Sequence, residues 1–244
     1  MTGRARGLAG LAAALAAAGW ARGGAGAGRS EGLGQGVKTI ATSSVALPQD
    51  YRDLTAVRAR FDSLIAERLR AAGFSVVPPQ IAESIWLRVR DSVGGYYDTY
   101  TGKRVEAKYE VVRTATLTEL KTRYQADAWL HPVIRVVGAR FSGGKVKWHG
   151  VEEQSGAPGG LGGFLFGSKI GAVPALSLFV FVEDMAGKDL YAGVGGLRLV
   201  ERIQGDRFVP IPRDSLFNDG ARNAAAIHLA LDSLPLHLGG KQGP

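Results

Sequence analysis

The sequence predicts a mixed α/β (α+β) domain: a mixed central sheet of about five to six strands, an opening βαβ unit, two β-hairpins, and helices packed on the sheet. Three observations carry this. In residues 127–141, Leu130, Ile134 and Val136 share one face, while Trp129, Val133, Val137, Ala139 and Phe141 share the other. A strand apolar on both faces is covered on both sides, so it is central. Residues 175–184 repeat the pattern, with Leu176, Leu178, Val180 and Val182 against Phe179 and Phe181. Residues 37–77 then read as strand, amphipathic helix and short strand, the order of a parallel pair with its crossover.

Taken in order, Val37, Ile40, Val45 and Leu47 mark a first strand, broken at Pro48. Residues 55–72 follow as a helix, because Val57, Phe61, Leu64, Ile65 and Leu69 keep three-and-four spacing. Asp53 or Thr55 is placed to cap its start, and Gly73 to stop it. A short strand over 74–77 ends at Pro78-Pro79, and Ile81, Ile85, Val89 and Val93 predict a second helix over 80–93. A Tyr-rich loop covers 94–103. Residues 106–124 predict a third helix, with a break expected near 114–116, where β-branched residues weaken helix propensity. The strand from 127 turns at Ser142-Gly143-Gly144-Lys145, a sequence suited to a tight hairpin, and returns through Val146 and Trp148. A second Gly-rich loop spans 154–171. The strand over 175–184 turns at Asp184 to Lys188 and returns as one long strand over 190–203, where Gly193, Gly195 and Gly196 predict a bulge or a close backbone contact. A helix over 219–234 closes the domain, stopped by Pro235.

The amino terminus reads as an export signal rather than structure. Arg4 and Arg6 precede an apolar run over 8–18, and Ala25-Gly26-Ala27 offers a small-residue cleavage site. The expected organisation is a signal peptide over 1–27, a flexible leader over 28–36, one α/β domain over 37–235 and a disordered tail over 236–244. Cleavage lowers the net charge from +8 to +5, because Arg4, Arg6 and Arg22 leave and no acid does. Residues 15–19 resemble the approach to a lipoprotein cleavage site, but Trp20 stands where the lipidated Cys belongs, and the sequence contains no Cys. Disulfides, Cys nucleophiles and Cys-held metals are therefore excluded. The expected address is the periplasm or the medium, without a lipid anchor. The modest positive charge suits an anionic membrane or cell-wall surface. With no basic run and no aromatic-basic motif, nucleic acid is not an expected partner.

Several phrases resemble a known family. RFDSLIAERLRAAGFSVV at 60–77 resembles the helix-then-strand opening of the TolB amino-terminal domain. YQADAWLHPVIRV at 124–136 is similar to the entry into its next strand. SLFVFVEDMAGKDLY at 177–191 resembles its strand, turn and strand, and ARNAAAIHLALDSL at 221–234 its closing helix. CsgG and LpoB share the plan. The chain departs from the family in lacking the lipidation Cys, in having His131-Pro132, and in its two long loops. The resemblance implies a non-catalytic bacterial envelope protein that binds other proteins.

Candidate partner-binding residues are Phe164, Leu165 and Phe166 on the second Gly-rich loop, and Tyr96, Tyr97 and Tyr100 on the first. Gly167-Ser168-Lys169 reverses the last pair of a phosphate-binding loop, and the flanking strands do not suit a dinucleotide fold. No cofactor or metal is expected. The alternative is a secreted hydrolase or metal-binding protein with a site around Asp127, His131 and His149. No spacing there matches a metal motif, and Asp127 and His131 on one strand face lie about 13 Å apart. The one G-x-S-x-G string, Gly28 to Gly32, falls in the expected flexible leader rather than at a strand-to-helix turn, so it does not read as a nucleophile elbow.

Overall fold

The computed structural model describes residues 36–142, 145–154, 171–204, 207–232 and 234. The fold is mixed α/β. Its strands are β1 (Thr39–Thr42), β2 (Ser75–Val77), β3 (Ala128–Ser142), β4 (Lys145–Trp148), β5 (Val151–Gln154), β6 (Gly171–Asp184), β7 (Asp189–Leu199), β8 (Glu201–Gln204) and β9 (Arg207–Pro210). Its helices are α1 (Thr55–Ala71), α2 (Pro79–Ser92), α3 (Glu106–Tyr124) and α4 (Gly220–Leu231). Among the described residues, seven strands form one mixed sheet, and β8 and β9 pair only with each other. The βαβ opening is present: β2 and β3 flank β1, both parallel to it.

β3 is the central strand, between β1 and β6, but its main partner is not the one expected. It pairs antiparallel with β6 from Ala128↔Asp184 to Phe141↔Gly171. β4 takes only Arg140 to Ser142 at the tip. Pro132, which has no N–H, is tolerated inside β3 because β1 has already ended there. The neighbouring chain rejoins at Ala46, whose N–H donates to the Pro132 carbonyl at 2.9 Å.

Ile40, Phe61, Ile65, Leu130, Ile134, Leu176, Val180 and Ile227 bury one face of the sheet with α1 and α4. Ala41, Trp86, Tyr96, Tyr109, Leu120 and Trp129 fill the other with α2 and α3. Gly193 and Gly195 let α4 lie directly on β7. A Cβ at either position would run into the carbonyl oxygens of Ala230 and Ala226. The bulge anticipated in β7 lies opposite Leu176 and Ser177.

Three local expectations need correction. α3 is unbroken: Thr116, Thr118 and Thr122 turn their hydroxyls back onto the carbonyls four residues earlier, which satisfies them inside a helix. No side chain caps α1, where Leu54 holds the cap position and Asp53 pairs with Arg213 instead. The long strand over 190–203 is two strands. Beyond Leu199, β8 leaves the main sheet to pair with β9, and Ile211 N–H returns to the Val200 carbonyl at 2.8 Å.

Candidate functional site

The Tyr-rich loop joins α2 to α3. Its three tyrosines have separate fates. Tyr96 is buried at 2% exposure, and its hydroxyl accepts from Trp86 Nε1 at 3.3 Å. Its ring meets those of Trp86 and Tyr109 edge-on, and burial raises its phenol above the ordinary value. Tyr97 is half exposed, with its ring 5.0 Å from that of Tyr96. Tyr100 is 96% exposed.

The loop that presents them is tied down by Asp98. Its Oδ1 accepts from Thr101 N at 2.7 Å, Thr101 Oγ1 at 2.9 Å and Tyr100 N at 3.0 Å. Those bonds favour the ionised form and hold the carboxyl below its usual value. Asp98 N–H donates to the Lys103 carbonyl at 2.8 Å, and Val105 N–H to that of Tyr96 at 2.7 Å. Tyr97 and Arg104 form an antiparallel bridge, and Gly102 supplies the positive φ of 66° that the turn needs. Arg104 lies 4.2 Å over the Tyr109 ring, which fastens the loop's return to the core. Phe164, Leu165 and Phe166 lie outside the described residues.

Asp127, His131 and His149 do not form one site. Asp127 Oδ2 accepts from the backbone N–H groups of Lys38 and Thr39 at 2.8 and 2.9 Å, which satisfies the start of β1. His149 sits at φ 36° in the β4–β5 turn. Its Nδ1 lies 2.8 Å from Ser177 Oγ, its ring meets that of Phe179 edge-on, and its carbonyl accepts from Gly196 N at 2.9 Å. Burial lowers its pKa, which favours the neutral ring. Among the described residues, no three His, Asp or Glu side chains converge on a metal-sized gap.

His131 joins a buried polar chain. Its Nδ1 lies 3.1 Å from Ser43 Oγ, and its Nε2 lies 3.1 Å from Glu183 Oε1. The other Glu183 oxygen accepts from Arg113, which also donates to the Gly187 carbonyl at 3.2 Å. Ser43, His131 and Glu183 are all buried. Burial pushes the Glu183 carboxyl up, but His131 and Arg113 outweigh it, so the carboxylate is favoured. The Trp129 ring is 4.4 Å from that of His131, and its buried Nε1 has no partner among the described residues. Neither Ser43 nor Glu183 was singled out from sequence. The available signal was a charge ending an otherwise apolar strand.

Ser44 and Val45 are held from the α1 side. Asp62 Oδ1 accepts from Val45 N at 2.8 Å, and the carboxyl also hydrogen-bonds Ser44. Burial pushes this carboxyl up to about 6, with a further upward push from Glu83.

No family model matches the chain, and no curated protein matches it significantly. A PelC dodecamer from Paraburkholderia phytofirmans is similar at 14% identity and a TM-score of 0.35, over 86% of this chain and 93% of that one. A PelC point variant from the same organism is similar at 12% identity and a TM-score of 0.33, over 86% and 95%. Likeness at this level says nothing of what this chain does. No helix among the described residues is long and apolar enough to cross a membrane.

Proposed function

We propose that this chain is a bacterial cell-envelope binding or accessory protein, periplasmic or secreted, that docks on a protein assembly through the loop carrying Tyr97 and Tyr100. The observation behind this reading is the contrast at Tyr100: a ring 96% exposed on a loop whose backbone is held by Asp98. Isolated exposed aromatics are ordinary on flexible tails. One fixed on a braced turn, with a second half-exposed ring nearby, offers contact area at little cost in lost freedom. The export signal read at the amino terminus supports an envelope location for that surface. Docking of this kind needs no chemical step.

The test is capture from envelope extract by the tagged mature chain, compared with a Tyr97→Ser/Tyr100→Ser double variant. Truncating an aromatic anchor costs ~2 kcal/mol or more, about 30-fold in affinity. Capture should therefore fall sharply while the melting temperature holds. Equal capture per folded molecule would remove this loop from the interface.

A further inference from the structure

The geometry points to Ser43 as a base-activated nucleophile, with His131 as its general base, able to take an acyl group from a small ester. This goes beyond the docking reading and does not depend on it. It also departs from the sequence expectation that the chain carries no catalytic group.

The parts come from separate stretches of chain and meet at one place. β1 ends at Thr42, and Ser43 follows immediately. The next strand in sequence, β2, lies on one side of β1, and β3 lies on the other. Ser43 thus follows the carboxyl end of β1, beside His131, the fourth residue of β3. Ser43 Oγ stands 3.1 Å from an imidazole nitrogen, and the opposite nitrogen of that ring stands 3.1 Å from Glu183. Nucleophile, base and orienting carboxylate are thus linked in series, which is how a serine is activated on unrelated folds. Here Nδ1 faces the serine and Nε2 the carboxylate.

The electrostatics fix the direction of proton flow. Arg113 pairs with Glu183 and helps keep it anionic. An anionic Glu183 accepts a hydrogen bond from His131 Nε2–H, so the lone pair on Nδ1 faces the Ser43 hydroxyl. Glu183 and Arg113 are positioning residues, since they act through His131. Trp129 supplies a buried N–H with no partner among the described residues, on a ring in contact with His131.

The step balances without a further reagent. Ser43 Oγ bonds to the ester carbonyl carbon as His131 Nδ1 takes the hydroxyl proton. The ester C–O bond then breaks, and Nδ1 returns that proton to the leaving alkoxide, leaving acyl-Ser43. Water attacks the acyl carbon, giving a proton to Nδ1. The acid departs, and Ser43 Oγ recovers that proton.

The experiment is labelling of the folded chain by a small alkyl fluorophosphonate, with the modified peptide mapped by mass spectrometry. Labelling should map to Ser43 and vanish in Ser43→Ala. In His131→Gln it should slow by about 10²-fold or more. Glu183→Gln should slow labelling and Glu183→Asp should recover part of the rate, both taken per folded molecule; a merely structural role would lower the melting temperature and leave the rate per folded molecule unchanged. Peptide mapping of the wild type decides the matter even if Ser43→Ala fails to fold. A folded chain left unlabelled at Ser43, or labelled equally fast in His131→Gln, overturns the inference.

Discussion

Asp62→Asn should stabilise the protein, and by an amount that depends on pH. The Asp62 carboxyl is raised from 3.8 to about 6, first by burial and further by Glu83, against the opposing hydrogen bonds from Val45 and Ser44. A carboxyl whose pKa is higher folded than unfolded binds its proton more tightly in the folded state. Its charge therefore costs nothing below the unfolded value near 4. The cost grows through the window from 4 to 6 and is complete above 6, so stability falls as pH rises across that window. Two pKa units correspond to about 3 kcal/mol at most. Asp62 retains some solvent contact, so screening reduces the expected effect to ~1–2 kcal/mol. The asparagine amide oxygen can still accept the Val45 N–H bond, while the charge is gone. The variant should then melt several degrees above wild type at pH 8, at about 2–4 °C per kcal/mol for a domain of this size. The gap should close by pH 4. Thermal melts of both proteins across pH 4–8 measure the difference, in which titrating groups not coupled to Asp62 cancel. A variant less stable than wild type at pH 8, or a gap that does not change with pH, would refute the reasoning.

Two further outcomes test the fold. Ile134 is 1% exposed in β3, beside Leu178 of β6, so Ile134→Asp would bury an unpaired charge at a cost of several kcal/mol; the variant should show no cooperative melt. Gly195→Ala drives a Cβ into the Ala226 carbonyl and should cost ~1–3 kcal/mol by thermal melt, whereas Gly220→Ala meets open space and should be close to neutral.

Much of the architecture was legible because it is written locally. The three-and-four spacing of Phe61, Ile65 and Leu69 predicts α1, and all three are buried. Apolar residues on both faces of 127–141 predict a central strand, which β3 is. What escaped was set by long-range partners. Sequence adjacency suggested β4 as the mate of β3, whereas β6 outcompetes it with a second strand apolar on both faces. The break after Leu199 has no local turn signal, since no Gly or Pro occurs between Leu197 and Ile203. The candidate sites follow the same rule. Tyr96 and Tyr100 look alike in sequence, and only packing against Trp86 and Tyr109 separates the buried ring from the exposed one. His131 was visible as a candidate. Its partners were not, because Ser43 is 88 residues before it and Glu183 is 52 after it.

Docking through the braced tyrosine loop can be tested in the cell. A photoreactive benzophenone amino acid in place of Tyr100 should, on irradiation, give a discrete covalent adduct with an envelope protein. The same group in place of Leu229, an exposed position on α4, should not. Adducts of equal yield at both positions, or none at position 100 in folded and exported protein, would contradict it.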